Sequence, residues 1–224
     1  MSSSPIRELL NDSVSPAIRG FLHEPAIPNG NGVILTHGAG GNAQAPLLRA
    51  LAETFANSGC TVLRCNLPYR QVRSFGPPGP GDAARDRAGL KNAVEEMRKQ
   101  VPGGRVFLAG HSYGGRQSSM LCAEEPDLVA GLLLLSYPLH PPRKPEQQRT
   151  QHLPDLHTRT LFVQGTRDPF ASIPELQQAL KMIPAKTKLL PVEGAGHDLG
   201  FKGKATRAEL PQIILSESQQ LFGR

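Results

Sequence analysis

The pentapeptide Gly110-His111-Ser112-Tyr113-Gly114 has the form G-x-S-x-G. An apolar run, Val106–Ala109, precedes it, and a helix pattern from about Tyr113 to Glu124 follows. Strand, turn and helix in that order are the context of a nucleophile elbow. The turn is so sharp that side chains at Gly110 and Gly114 would collide. Ser112 then projects its hydroxyl from the strand end, in a strained backbone conformation. The following N–H, that of Tyr113, faces the same place and can hold an oxyanion.

A serine alone is a weak nucleophile and needs a base. His197 lies in Gly194-Ala195-Gly196-His197-Asp198, just after the last apolar run, where glycines let the imidazole swing over the sheet edge. Asp168, in Gly165-Thr166-Arg167-Asp168-Pro169, follows the run Thr160–Val163 and offers a carboxylate to orient that base. Taken singly, His197 reads equally well as one of seven histidines in a surface loop, and Asp168 reads better as an Asp-Pro turn. Taken together they follow strands and stand in the chain order Ser, Asp, His that goes with this elbow. Two rival carboxylates exist. Asp155 precedes its strand and should sit at the wrong sheet edge, whereas Glu193, close to His197 in sequence, stays open.

A second oxyanion donor is expected from the loop Thr36-His37-Gly38-Ala39-Gly40-Gly41-Asn42. Its small residues let the N–H of Ala39 approach a substrate oxygen, with His37 bracing the loop. No Gly-Lys-Ser/Thr follows, so a phosphate loop is excluded, and the G-x-G-x-x-G spacing is missing.

These groups need a frame that brings strand ends together. Val33–Leu35, Thr61–Leu63, Val106–Ala109, Leu132–Ser136, Thr160–Val163 and Lys188–Val192 are short apolar runs of strand size. Between them Leu47, Leu48, Leu51 and Phe55, then Leu90, Val94, Met97 and Val101, recur at helical spacing. Further helices are expected from near Ser172, with Pro174 in the first turn, and from about Ala208 to Phe222. Near-continuous apolar strands alternating with helices predict an α/β fold with a mainly parallel sheet covered on both faces. Sites in such sheets gather at the carboxyl ends of strands. Pro68–Gly81 and Pro138–Thr158 read as loops.

The chain has 224 residues, which suits a single domain spanning 1–224. Three cysteines cannot form a disulfide framework, no apolar run reaches membrane length, and MSSSPIRELLNDS lacks the apolar core of a secretory signal. A cytoplasmic location is expected. The net charge of +6 invites a nucleic-acid reading. Scattered Lys and Arg, 5% aromatics and no Trp argue against specific binding. A steep salt dependence of DNA binding would reopen it. Cys60, Cys65 and Cys122 fit core positions, and His152 and His157 have no metal-ligand spacing. No metal and no organic cofactor are expected.

The chain resembles the α/β-hydrolase superfamily over nearly its whole length. More narrowly it looks like the dienelactone-hydrolase-like group of small hydrolases, which includes the testis-expressed and NSL-complex subunit homologues. The resemblance rests on Ile34–Gly40, Asn66-Leu67-Pro68-Tyr69-Arg70, Gly110–Gly115, Ser136-Tyr137-Pro138-Leu139-His140 and Leu161–Asp168. It implies an α/β-hydrolase fold, Ser112 as nucleophile, Asp168 as acid, His197 as base and the N–H groups of Ala39 and Tyr113 as oxyanion hole. Dienelactone hydrolases proper use a cysteine nucleophile, so Ser112 argues against that particular activity. Caps in this superfamily usually enter after the strand Leu132–Ser136, and here only a short cap-like loop at about 138–158 is available. An open site for a small ester or thioester is therefore expected. Tyr69, Arg70, Arg73, Tyr137 and His140 are expected at the substrate rim. There Arg70 and Arg73 either clamp an anion or are solvated loop charges. Arg116, on the elbow helix, is expected to pack or pair locally. The leading expectation is a serine esterase or thioesterase, and the alternative is a non-catalytic scaffold of the same fold. Monomer and homodimer fit the sequence equally.

Overall fold

A computed structural model describes residues 5–201 and 207–223. Eight strands form one sheet: β1 (Ile6–Asn11), β2 (Ile18–His23), β3 (Gly32–Thr36), β4 (Thr61–Cys65), β5 (Val106–His111), β6 (Gly131–Leu135), β7 (Thr160–Gly165) and β8 (Thr187–Val192). Their spatial order is β1-β2-β4-β3-β5-β6-β7-β8, and every pair from β4 to β8 is parallel. Six helices flank it: α1 (Pro46–Asn57), α2 (Pro68–Val72), α3 (Asp82–Gln100), α4 (Tyr113–Glu124), α5 (Ile173–Leu180) and α6 (Leu210–Phe222).

The apolar runs are continuous because each strand is covered twice. Side chains alternate across a strand, so Ile34 faces one layer while Val33 and Leu35 face the other. Ile34, Leu108, Leu134 and Phe162 pack under α3, α4 and α5, through Leu90, Met97, Leu121 and Leu176. Leu35, Ala109, Leu135 and Val163 pack under α1 and α6, through Leu48, Leu51, Ile214 and Leu221. Cutting a side chain such as Leu51, which is fully buried, to Ala costs about 2–5 kcal/mol. Pro46 opens α1, and Ser172 caps α5 in a reciprocal capping box with Glu175.

The structure adds one hairpin to the expected elements. β1 and β2 are antiparallel and attach to β4, so β2 is the one strand running against the others. β1 lies at the sheet edge and buries only Leu9, so it lacks the apolar run of an interior strand. The stretch expected as a loop after Pro68 begins with the five-residue helix α2. The segment after β6 carries a single 3₁₀ turn, Leu153–Asp155.

Candidate active site

The carboxyl ends of β3, β5, β7 and β8 converge on one cleft of about 580 Å³. The elbow between β5 and α4 is built on close backbone approach. A Cβ at Gly110 would stand 2.4 Å from the Gly115 nitrogen, and one at Gly114 would stand 2.5 Å from the His37 carbonyl oxygen. Between these positions Ser112 adopts φ +51° and ψ −116°. Such a backbone costs about 1–3 kcal/mol and persists only when its surroundings fix it. They do: the Ser112 N–H donates to Leu135 O at 2.8 Å, and the Ser112 carbonyl accepts the Arg116 N–H at 2.9 Å.

His197 arrives on the turn after β8. Its Nε2 accepts from the Ser112 hydroxyl at 2.7 Å, and its Nδ1–H donates to Asp168 Oδ2 at 2.8 Å. The Asp168 carboxylate is wholly enclosed, and its other oxygen accepts the Phe170 N–H at 2.9 Å. Phe170 lies over the imidazole with ring centroids 4.2 Å apart. The loops carrying acid and base are bound together. Arg167 N–H donates to Ala195 O at 2.9 Å, and Gly194 N–H donates to Thr166 Oγ1 at 2.8 Å. Of the rival carboxylates, Glu193 is exposed and accepts at 3.4 Å from Thr166, while Asp155 is exposed in the 3₁₀ turn. It is Asp168 that meets the base.

The two residues expected to supply oxyanion N–H groups, Tyr113 and Ala39, both line this cleft. Tyr113 is the first residue of α4, whose leading N–H groups have no acceptor within the helix and lie at its positive end. Ala39 lies in the loop after β3, along the cleft wall. The Gly38 oxygen accepts from His37 Nδ1–H at 2.9 Å, from Gly41 N–H at 3.0 Å and from the Tyr69 hydroxyl at 3.2 Å. In a trans peptide the N–H of Ala39 points opposite to that oxygen, so anchoring the carbonyl inward turns the N–H outward. His37 Nε2 accepts the Leu67 N–H at 3.1 Å, which fixes the imidazole as a neutral brace. Burial, outweighing its hydrogen bond to Gly38, lowers its pKa to about 4.

The five residues expected at the substrate rim lie elsewhere. α2 turns Tyr69 and Arg70 under the loop after β3, where both are buried. The Tyr69 hydroxyl donates to Ala39 O at 2.9 Å. Arg70 donates to the carbonyls of Ala39, Gly41, Arg73 and Gly76 at 2.8–3.1 Å, so its N–H groups serve backbone. Arg73 is exposed and pairs with Asp82. Tyr137 is fully buried, donating to Arg149 O at 3.2 Å. His140 is buried between Pro141 O and Glu175, and its N–H holds the Phe170 carbonyl at 3.1 Å. A short helix and a Pro-rich crossing, both read as open loop, account for the difference.

Three supporting residues were missed. His111, the variable residue of the pentapeptide, donates from Nε2 to His197 O at 2.8 Å. Asp86 on α3 is fully buried and accepts the Tyr113 hydroxyl at 2.7 Å and the Tyr69 N–H at 3.0 Å. Burial raises its carboxyl above the ordinary range, against those two hydrogen bonds. Phe170 gave no sequence signal beyond its place two residues after Asp168. Arg116, expected to pack or pair locally, lines the cleft together with Arg149. Pro46, Pro77, Pro138 and Phe201 add apolar wall, and Asp198 lines the cleft beside His197. A second cavity of about 610 Å³ opens at the opposite sheet edge, beside Asn31 and Phe222, far from this chemistry.

Among the described residues no three His, Cys, Asp or Glu side chains gather as a metal site, and no helix is long and apolar enough to cross a membrane. The arrangement of Ser112, His197 and Asp168 can attack a carbonyl carbon and pass the proton on.

Comparison with known proteins bears on the fold. Residues 29–220 match the model of a family described as an alpha/beta hydrolase domain. Among solved structures, a dienelactone hydrolase from Anabaena variabilis superposes with TM-score 0.77 at 18% identity, covering 99% of this chain and 100% of that one. An alpha-beta serine hydrolase homologue from Coxiella burnetii gives 0.75 at 17%, covering 97% and 98%. A serine hydrolase without lid from Xanthomonas campestris gives 0.72 at 18%, covering 100% and 97%. At these identities the likeness speaks for the fold, while the family match spans most of the sequence. The chain belongs to the α/β-hydrolase family and is dienelactone-hydrolase-like in its architecture.

Proposed function

We propose that the protein is a serine hydrolase, an esterase or thioesterase for small acyl substrates, working as one domain with the 138–158 segment as a minimal cap. The observation that carries this reading is the continuous hydrogen-bond chain from Ser112 Oγ through His197 to Asp168 at the floor of an accessible cleft. His197 takes the Ser112 proton as Oγ bonds to the carbonyl carbon. The carbonyl oxygen becomes an oxyanion held by the N–H groups of Tyr113 and Ala39. On collapse the bond to the leaving oxygen or sulfur breaks, and His197 hands it the proton. Water then attacks the acyl-serine, its proton passing to His197 and on to Ser112 as the acid departs. Asp168 holds the imidazole in the required tautomer and balances its transient charge. A cytoplasmic location fits three cysteines that are buried and unpaired.

The test is labelling with a fluorophosphonate probe and mapping of the adduct by mass spectrometry. A phosphonyl group on Ser112, lost in Ser112→Ala and strongly reduced in His197→Ala, is the expected result. A folded protein with no adduct at Ser112 overturns the hydrolase reading in favour of a scaffold.

A further inference from the structure

The His197 imidazole is anchored at its two nitrogens, by Asp168 at Nδ1 and by Ser112 at Nε2. Both bonds lie near the ring plane, so neither stops the ring rocking about the line that joins them. The last torsion of a histidine side chain is broad and sets no firm angle either. The reaction removes one anchor. As Ser112 Oγ bonds to a carbonyl carbon its link to Nε2 is given up, and Asp168 alone holds the ring. A proton must then leave Nε2 for the departing group, so the imidazole needs a third support at that moment.

Two rings stand beside it. His111 is 5.2 Å away and tilted by 48°, whereas Phe170 is 4.2 Å away and tilted by only 32°. The phenyl ring is therefore the closer and more nearly parallel wall. The face of an aromatic ring is electron-rich, so it attracts an imidazolium more strongly than a neutral imidazole. The contact strengthens when His197 takes the Ser112 proton, and interactions that tighten in the transition state are the ones that raise rate.

Phe170 is half-buried at the cleft wall, and its own backbone is pinned. Pro169 fixes φ just before it. The Phe170 N–H donates to Asp168 Oδ1 at 2.9 Å, and its carbonyl accepts the His140 N–H at 3.1 Å. The next residue, Ala171, is fully buried, and its carbonyl accepts the Gln164 amide at 3.4 Å. Ser172 then caps α5. His140 belongs to the segment after β6, and its imidazole lies between Pro141 O, at 2.8 Å, and Glu175 of the α5 capping box, at 3.5 Å. One residue thus touches both acid and base while two other elements hold it.

We infer that Phe170 is a positioning residue. Its ring confines the His197 imidazole to the orientation that joins Ser112 to Asp168 and stabilises the positive charge carried in mid-reaction, and His140 ties that ring to the segment after β6. The effect on rate rests on the hydrolase reading above.

The probe ester is para-nitrophenyl acetate, with nitrophenolate release corrected for spontaneous hydrolysis. Phe170→Leu keeps apolar bulk and loses the ring face. Its kcat is expected to fall about tenfold, with KM within about twofold of wild type. Phe170→Tyr keeps the face and is expected to retain about half of the wild-type kcat or more. Thermal melting of each variant checks folding. A second readout needs no turnover. In protein carrying isotope-labelled histidine, the His197 ring signals are assigned with His197→Gln. One sharp set is expected in the wild type, and a broadened or split set in Phe170→Leu. If Ser112 takes the fluorophosphonate and Phe170→Leu keeps the wild-type kcat, the positioning role is overturned and the hydrolase reading stands. If Ser112 stays unlabelled but the His197 signals broaden in Phe170→Leu, the hold of the ring stands and the hydrolase reading falls. If neither is seen, both fall.

Discussion

The His111 imidazole donates from Nε2 to the main-chain carbonyl of His197 at 2.8 Å, with the two rings 5.2 Å apart. The residue before Ser112 thus grips the backbone of His197. Burial, opposed by that hydrogen bond, lowers the His111 pKa to about 4, so near neutral pH it presents one N–H and no charge. His111→Ala removes the grip while leaving Ser112, His197 and Asp168 in the chain. Small misplacements of a catalytic group are expensive, up to about 100-fold for 1 Å. The expected outcome is a fall in kcat of at least tenfold with little change in KM. His111→Gln, which keeps an N–H donor, recovers part of it.

Asp86 links Tyr113, the proposed oxyanion donor, to α3 through the Tyr113 hydroxyl. Asp86→Ala leaves the Tyr113 hydroxyl and the Tyr69 N–H without their acceptor. Each unsatisfied buried donor costs about 1–3 kcal/mol. Urea denaturation is expected to show a loss of that order or more. Asp86→Asn keeps an acceptor oxygen and should lose less.

Arg70 ties four carbonyls, two of them in the loop that carries Ala39. Arg70→Met removes the donors and roughly keeps the stem. Losing one oxyanion donor costs about 10²–10³ in rate, and a loosened loop should lose part of that. Steady-state kinetics with one neutral ester is expected to show kcat lowered about tenfold or more. An unchanged kcat would mean that the loop holds Ala39 without Arg70.

Acid should weaken the fold in a defined window. His37 and His23 are almost fully buried, with pKa values lowered to about 4, chiefly by burial. Each accepts a hydrogen bond at Nε2, His37 from Leu67 N–H and His23 from Arg64 Nε–H, so each is neutral in the native state. Between about pH 4 and 6.5 the unfolded chain binds more protons than the folded one. Stability is therefore full above about pH 6.5 and falls as pH drops toward 4, by up to about 1.4 kcal/mol per pH unit for each imidazole. Urea midpoints at pH 7.0, 5.5 and 4.5 check this, and His37→Gln should flatten the slope.

Much of this site was readable in the sequence because its chemistry follows strand ends. Ser112, Asp168 and His197 each come directly after an apolar run, and parallel pairing brings those ends to one edge. The supports were less legible. Asp86 sits among Asp82, Arg85 and Arg87 on a charged helix, and only the packing of α3 against α4 shows that it is buried. Tyr69 and Arg70 looked like rim residues because Pro and Gly follow them. The first turn after Pro68 is helical and points them inward. The hairpin of β1 and β2 escaped notice because β1 buries a single side chain, leaving no periodicity to read.

The order in which these strands occur along the chain has a consequence for biosynthesis. A ribosome that has extruded the protein through β7 has released the nucleophile and its elbow, but neither Asp168 nor His197. The pairing of β8 with β7 carries the imidazole to the serine, and β8 follows β7 in the chain by more than twenty residues. On the proposed hydrolase reading Ser112 is an ordinary alcohol until then, and its activation waits for β8 to dock on β7.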